Sequence, residues 1–185
     1  MQVLPDFARF EATYGGGHGQ VVSTQLVADL ETPVSAFLKL ADGRPFSGLF
    51  ESVEGGTAIG RYSFIVMKPD LIWRCKDGKA EVNRQARWDA EAFAPLEGRP
   101  LQTLRDLVQE SRFPLPEGAP PMAGALVGYM GYETVRLMEE LPTANPDVMG
   151  LPDGLFMRPT VVAVFDRVED VVTVFTAVRP EAGVP

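Results

Sequence analysis

The sequence predicts an α+β fold, largely antiparallel β-sheets with flanking helices. Three observations carry that expectation. Sixteen prolines and 18 glycines in 185 residues cut the chain into many short elements, which suits strands and loops better than a helix bundle. β-prone apolar runs flank turn residues twice, around Asp77-Gly78 and around Asp166–Asp170, which is the pattern of hairpins. Apolar residues at helical spacing occur only in short stretches.

The elements follow in chain order. Phe7 and Phe10 have helix-like spacing within residues 1–14, and the run Gly15-Gly16-Gly17-His18-Gly19 then interrupts the pattern. No Gly-Lys-Ser/Thr follows that run and no helix opens directly after it, so it reads as a connector and not as a phosphate loop. Val21-Val22 begins a strand. Thr32-Pro33 is a helix start, with Thr as N-cap and Pro at the first helical position, and Val34, Phe37, Leu38 and Ala41 form its apolar face up to Asp42-Gly43. Two apolar runs, Phe64–Met67 and Leu71–Cys75, are separated by Lys68-Pro69-Asp70. Residues 86–100 are irregular. Leu101, Leu104, Leu107 and Val108 mark an amphipathic helix to about Arg112, followed by a proline-rich connector over 114–121. Gly124–Tyr132 reads as a strand whose repeated glycines suggest close approach of another backbone or a ligand, and Glu133–Glu140 as a helix. Val161–Phe165 and Val171–Phe175 form the last hairpin.

Bulk properties narrow the function classes. A net charge of −8 and a pI near 4.7 leave no basic stripe for phosphates, which argues against nucleic acid and anionic membranes. No apolar run approaches the roughly 20 residues of a spanning helix, and the N-terminus lacks a signal-peptide pattern, so a cytoplasmic protein is expected. Cys75, the single cysteine, excludes an internal disulfide and reads as a small core residue. His18, the single histidine, lies in the glycine connector, which disfavours hydrolytic triads and metal sites. The adjacent acids Glu139-Glu140 and Glu169-Asp170 read as solvated surface charges.

The most site-like stretch is Glu51-Ser-Val-Glu-Gly-Gly-Thr-Ala-Ile-Gly-Arg-Tyr-Ser-Phe64, a polar loop hung between β-prone flanks. Extended backbone over 49–53 turns Leu49, Glu51 and Val53 one way and Phe50 and Ser52 the other. The Ser52 hydroxyl can accept from an ammonium and donate to a carboxylate, which suits a zwitterionic amino acid. Arg61 offers a carboxylate clamp, or alternatively a structural tie to Glu51 or Glu54. The residues by themselves leave both a ligand site and a turn network open.

At these residues the sequence resembles component I, the large subunit, of anthranilate synthase. The matching segments are Glu31-Thr-Pro-Val-Ser-Ala-Phe-Leu-Lys39, Leu49-Phe-Glu-Ser-Val-Glu-Gly-Gly56, Ile59-Gly-Arg-Tyr-Ser-Phe-Ile65, and Gly124–Tyr132 leading into Glu133-Thr-Val-Arg136. Their order and spacing cover most of positions 20–180, but only the front part of the family's chain.

The resemblance implies a lyase of L-tryptophan biosynthesis that makes anthranilate from chorismate. It implies Mg²⁺ as cofactor, and ammonia drawn from glutamine by a small amidotransferase subunit, component II. Residues 1–19 read as an N-terminal helix and glycine-rich connector, and the resemblance implies 20–185 as the N-terminal regulatory domain. The chorismate-binding catalytic domain and its Mg²⁺ ligands are then absent, so the 185-residue chain alone should be inactive and should hold neither catalytic nor metal residues. The family's feedback site for L-tryptophan has its serine in a Leu-Leu-Glu-Ser element, present here as Leu49-Phe50-Glu51-Ser52. By that match Ser52 is the leading tryptophan contact, with Glu51 and Arg61 beside it. Two other readings remain: the related aminodeoxychorismate synthase large subunit of folate synthesis, and a stand-alone amino-acid-binding module. The end at Glu181–Pro185 carries no cap, so a reading frame continuing past Pro185 is expected.

Overall fold

The computed structural model describes residues 2–41, 43–51, 60–112, 114–115, 121–142 and 146–180. In chain order the strands and α-helices are β1 (Val3–Leu4), α1 (Phe7–Gly15), β2 (Gln20–Val27), α2 (Pro33–Ala41), β3 (Gly48–Glu51), β4 (Tyr62–Lys76), β5 (Lys79–Asn83), β6 (Ala94–Leu96), α3 (Pro100–Glu110), β7 (Val127–Met130), β8 (Gly154–Asp166) and β9 (Val171–Val178). Short 3₁₀ turns cover Pro121–Gly124 and Tyr132–Leu137. Strands hydrogen-bond in the order β1-β2-β9-β8-β4-β5-β6, with β3 beside β4 and β7 beside β8. The pairs β1–β2, β2–β9, β8–β9, β3–β4, β4–β5, β5–β6 and β7–β8 are antiparallel. The α+β, largely antiparallel expectation is met.

Local chemistry explains the well-formed elements. Asp6 caps α1 by accepting from the Arg9 N–H at 2.9 Å, and Phe7, Phe10 and Tyr14 stack along that helix. At α2 the Thr32 hydroxyl accepts from the Ser35 N–H at 3.0 Å while the Ser35 hydroxyl accepts from the Thr32 N–H at 3.0 Å, a reciprocal cap. Asp77 and Gly78 both have positive φ, 49° and 71°, which matches the tight turn that a right-handed twist requires between β4 and β5.

Four expectations are corrected. Lys68-Pro69-Asp70 does not separate two strands. β4 runs unbroken from Tyr62 to Lys76 even though Lys68 takes a left-handed conformation (φ 53°), because the segment is held from β8, where the Thr160 hydroxyl donates to the Lys68 carbonyl at 2.6 Å and Arg158 pairs with Asp70. The irregular region 86–100 contains a strand, β6, held against β5. The strand expected over Gly124–Tyr132 is confined to Val127–Met130, with a 3₁₀ turn before it. The helix expected over Glu133–Glu140 is a 3₁₀ turn that ends at Leu137.

The chain forms two compact units. The first holds β1, α1, β2, α2, β3 and β9 with β4 up to Lys68 and β8 from Pro159. Its core lies where α2 covers one sheet face. Alternate residues Leu49, Ile65, Met67, Val161, Ala163, Phe165, Val172 and Val174 meet Ala36 and Phe37 there. The second unit holds β5, β6, α3 and β7 with the remaining halves of β4 and β8. Its core gathers Leu71, Trp73, Cys75, Ala80, Val82 and Leu107, with Leu104 and Phe156 packed against them. Burial pushes the Cys75 thiol pKa up, in keeping with a core role.

Trp73 is fully buried, packs on Phe156 with ring centroids 6.2 Å apart, and donates its indole N–H to Thr103 at 3.0 Å. Trp73→Phe is expected to lower stability by about 1–2 kcal/mol, from the lost hydrogen bond plus the volume left behind. Urea unfolding reads it directly, and an unchanged midpoint at constant slope would show the indole N–H to be dispensable.

Candidate functional site

The polar segment 51–64 is anchored on both sides by strands of the first unit. β3 pairs with the start of β4 in the register Leu49↔Ile65, Phe50↔Phe64 and Glu51↔Ser63. Leu49 packs into the core beneath α2, as the alternation reading requires. Phe50 therefore lies on the opposite face, where it is 41% exposed. Tyr62 and Phe64 share that face by the same alternation, with ring centroids 6.3 Å apart, and the Arg61 guanidinium sits 5.0 Å from the Tyr62 ring centre. Half-exposed aromatic surface beside a cation is chemically suited to an aromatic amino acid.

Arg61 is held by Asp166, the last residue of β8. Its Nε donates to both carboxylate oxygens, at 2.9 and 3.0 Å, and its Nη2 donates to Oδ2 at 2.6 Å. Glu169 stands 3.9 Å from the same guanidinium. The Asp166 carboxylate is pre-set by its own turn, since Oδ1 accepts from the Val168 N–H at 3.0 Å. Arg61 pulls the Asp166 pKa below its ordinary value, chiefly through these hydrogen bonds. The sign follows: the pair contributes fully above the ordinary carboxylate range and loses its contribution only as pH falls through the lowered value.

Glu51 is exposed and accepts from Arg167 Nη2 at 3.4 Å. The Arg167 N–H donates to the Arg61 carbonyl at 3.0 Å. The turn between β8 and β9 thus brings together two of the three residues singled out from sequence. Ser52, the third, lies outside the described residues, as do its neighbours to Ile59. The sequence reading missed the partners Asp166 and Arg167, which sit in a stretch that reads as an ordinary hairpin tip. It also missed Ser63, opposite Glu51 in register and fully buried, whose hydroxyl has no hydrogen-bond partner among the described residues.

Elsewhere, the second unit carries an open groove of about 330 Å³ lined by Leu101, Leu104, Val108 and Met130 with Arg105, Gln109 and Arg112. It offers apolar surface and no converging acids. Among the described residues no group of three or more His, Cys, Asp or Glu side chains could hold a metal ion.

No family model matches the chain. Among curated proteins, anthranilate synthase component 1 of Cereibacter sphaeroides is 50% identical over 180 residues, 97% of this chain and 36% of that protein. Anthranilate synthase component 1 of Thermus thermophilus is 42% identical over 147 residues, covering 78% of this chain and 29% of its own. The Synechocystis protein of the same name is 37% identical over 170 residues, 90% and 32% respectively. A solved structure, anthranilate synthase component I from Streptococcus pneumoniae, superposes on 80% of this chain and 29% of its own with a TM-score of 0.50 and 20% identity. That likeness shows a shared fold. The chain spans about a third of the length of the curated relatives it matches, and it is homologous to that part of them.

Proposed function

We infer from this homology to anthranilate synthase component 1 that the chain is the N-terminal, regulatory part of such a protein. The complete protein makes anthranilate from chorismate in the cytoplasm, takes ammonia from a glutamine amidotransferase partner, component II, and is inhibited by L-tryptophan. One observation carries the reading: 50% identity over 97% of the chain to a protein of that name. The three relatives described above carry the same name, which favours the tryptophan branch over folate synthesis. Mg²⁺ is proposed to be bound by the portion of the complete protein that this chain does not span. Product analysis tests the reading: the complete protein with its amidotransferase should release anthranilate from chorismate and glutamine, and the 185-residue chain alone should release none. Release of aminodeoxychorismate instead would overturn it.

Within this part, Ser52 is proposed as the principal tryptophan contact, with Glu51 and Arg61 shaping the approach to it. The exposed rings of Phe50 and Tyr62 on the adjoining strands support an aromatic ligand. Inhibition requires tryptophan to bind one arrangement of the whole enzyme better than another, since a ligand without differential affinity shifts nothing. Ser52→Ala in the complete enzyme should raise the tryptophan concentration needed for half-inhibition about tenfold while leaving uninhibited turnover near normal. Steady-state inhibition curves check this. Identical curves for the variant and the parent would remove Ser52 from the site.

A further inference from the structure

α3 carries more apolar surface than its own core takes up. Its inner face is Thr103, Leu104 and Leu107, with Ser111 just past the end: the two leucines pack on the core of the second unit, Thr103 accepts from Trp73, and Ser111 meets Arg158. A second row, Gln102, Asp106 and Glu110, is polar and satisfied, since Asp106 accepts from Gln102 at 2.8 Å and Glu110 from Arg84 at 2.7 Å. The third row, Leu101, Arg105, Val108 and Arg112, borders the groove described above, where a surface helix would ordinarily be polar throughout. Helical neighbours offer its arginines no acid: Arg105 has Leu101, Gln102, Val108 and Gln109 one turn away, and Arg112 follows Val108 and Gln109. Neither guanidinium is ion-paired among the described residues. On the other side of the groove, β7 pairs with β8 along one edge and with no described strand along the other. Its residues, Val127-Gly-Tyr-Met130, include none of the charges or prolines that guard an open edge, and Tyr129 and Met130 are exposed.

We propose that the groove between α3 and β7 seats an extended, acid-bearing segment of the same polypeptide, from the portion of the complete protein that this chain does not span, added as a strand to the open edge of β7. The inference rests on the reading of the chain as the N-terminal part of a longer protein; it covers only 36%, 29% and 32% of the three relatives described above. Backbone, floor and charge each select the occupant. An open strand edge is satisfied by the N–H and C=O groups of another extended segment. The floor of Leu101, Leu104, Val108 and Met130 takes the apolar side chains that alternate along such a segment. Arg105 and Arg112 stand about 10 Å apart along the helix axis, the span of three or four extended residues, and call for carboxylates at that separation. Size selects the source. Seven residues line the groove, whereas a stable interface with a separate protein takes roughly 20–30 residues a side. A covalently linked segment needs far fewer contacts, because the link has already confined it near its seat.

The test uses the complete protein with the photo-crosslinking residue p-benzoylphenylalanine in place of Val108 or, separately, Met130, and maps the products by peptide mass spectrometry. The expected product is an intramolecular cross-link to a segment beyond Pro185 that carries Asp or Glu. The yield should fall about fivefold or more in R105E/R112E and stay near the parent level in R105K/R112K, which keeps both charges. A cross-link to a second copy or to an amidotransferase subunit overturns the inference, as does a groove that yields no protein cross-link from either position. A yield equal in R105E/R112E and the parent overturns the acidic character of the occupant. If R105E/R112E does not fold, amide hydrogen exchange of the complete parent protein decides instead: protected amides on both edges of β7 support an added strand, and free exchange along the edge away from β8 overturns it. A complete enzyme that makes anthranilate without the cross-link defeats this inference alone, whereas a gene that stops at Pro185 defeats it together with the reading on which it rests.

Discussion

Asp70→Ala is expected to destabilise the chain by about 3–5 kcal/mol, because it strands a buried charge. Asp70 and Arg158 are both almost wholly inside, with side-chain exposures of 5% and 6%. Arg158 donates Nε to Oδ1 at 2.7 Å and Nη2 to Oδ2 at 3.0 Å, and Nη1 reaches the Ser111 hydroxyl at 3.3 Å. Alanine at 70 removes the carboxylate and leaves a guanidinium without its counter-charge in the interior of the second unit. Replacing both partners by apolar residues of similar size removes the desolvation cost together with the attraction. The double variant D70L/R158M should therefore be far less damaged than D70A. Urea unfolding of the parent and the two variants decides it. If D70A loses less than about 1 kcal/mol, water reaches Arg158 and the pair is not the sealed interaction its geometry indicates.

Gly128→Ala should cost about 3 kcal/mol or more, since β7 runs too close to its neighbour for any side chain at this position. A Cβ built on Gly128 would lie 1.9 Å from the Leu155 carbonyl oxygen and 2.7 Å from the Phe156 Cα. Both are backbone atoms of β8, so no rotamer change relieves the clash and the strands must separate. Differential scanning calorimetry should show the loss as a drop of several degrees in melting temperature. A melting temperature within one degree of the parent would mean that β7 can slide on β8 without penalty.

That glycine is also where the sequence was most informative. Repeated glycines in an otherwise β-prone run signal a backbone contact, and Gly128 supplies one. The caps and tight turns were equally readable because their chemistry is local: Thr32-Pro33 starts α2, and Asp77-Gly78 closes the β4–β5 hairpin. Lys68-Pro69-Asp70 misled for the converse reason. Its residues have turn propensities, yet the Arg158 side chain, 88 positions away, draws Asp70 inward and lets the strand continue. A preference of a few tenths of a kcal/mol per residue yields to a buried ion pair.

The site divides along the same line. Glu51 and Arg61 stood out as charged residues beside β-prone flanks, whereas their partners Asp166 and Arg167 read only as part of the connection between two hairpin strands. Only the fold places that hairpin tip against the end of β3. The choice of Ser52 came from resemblance to a known family, not from spacing or periodicity, and its test is functional.

The pairing of β2 with β9 sets a timetable for synthesis. All eight residues of β2 find their partners between Val171 and Val178, so Gln20 meets Val178 only after some 150 intervening residues have left the ribosome. At about 5–20 residues per second, that leaves this stretch of β-prone chain without its partner for roughly 8–30 s. The β4–β5 hairpin, by contrast, closes within a few residues of being made. The first unit is therefore the late-folding one, and it carries the candidate site. In a growing chain the second unit can be complete while the segment that leads into Ser52 still awaits the Asp166–Asp170 turn.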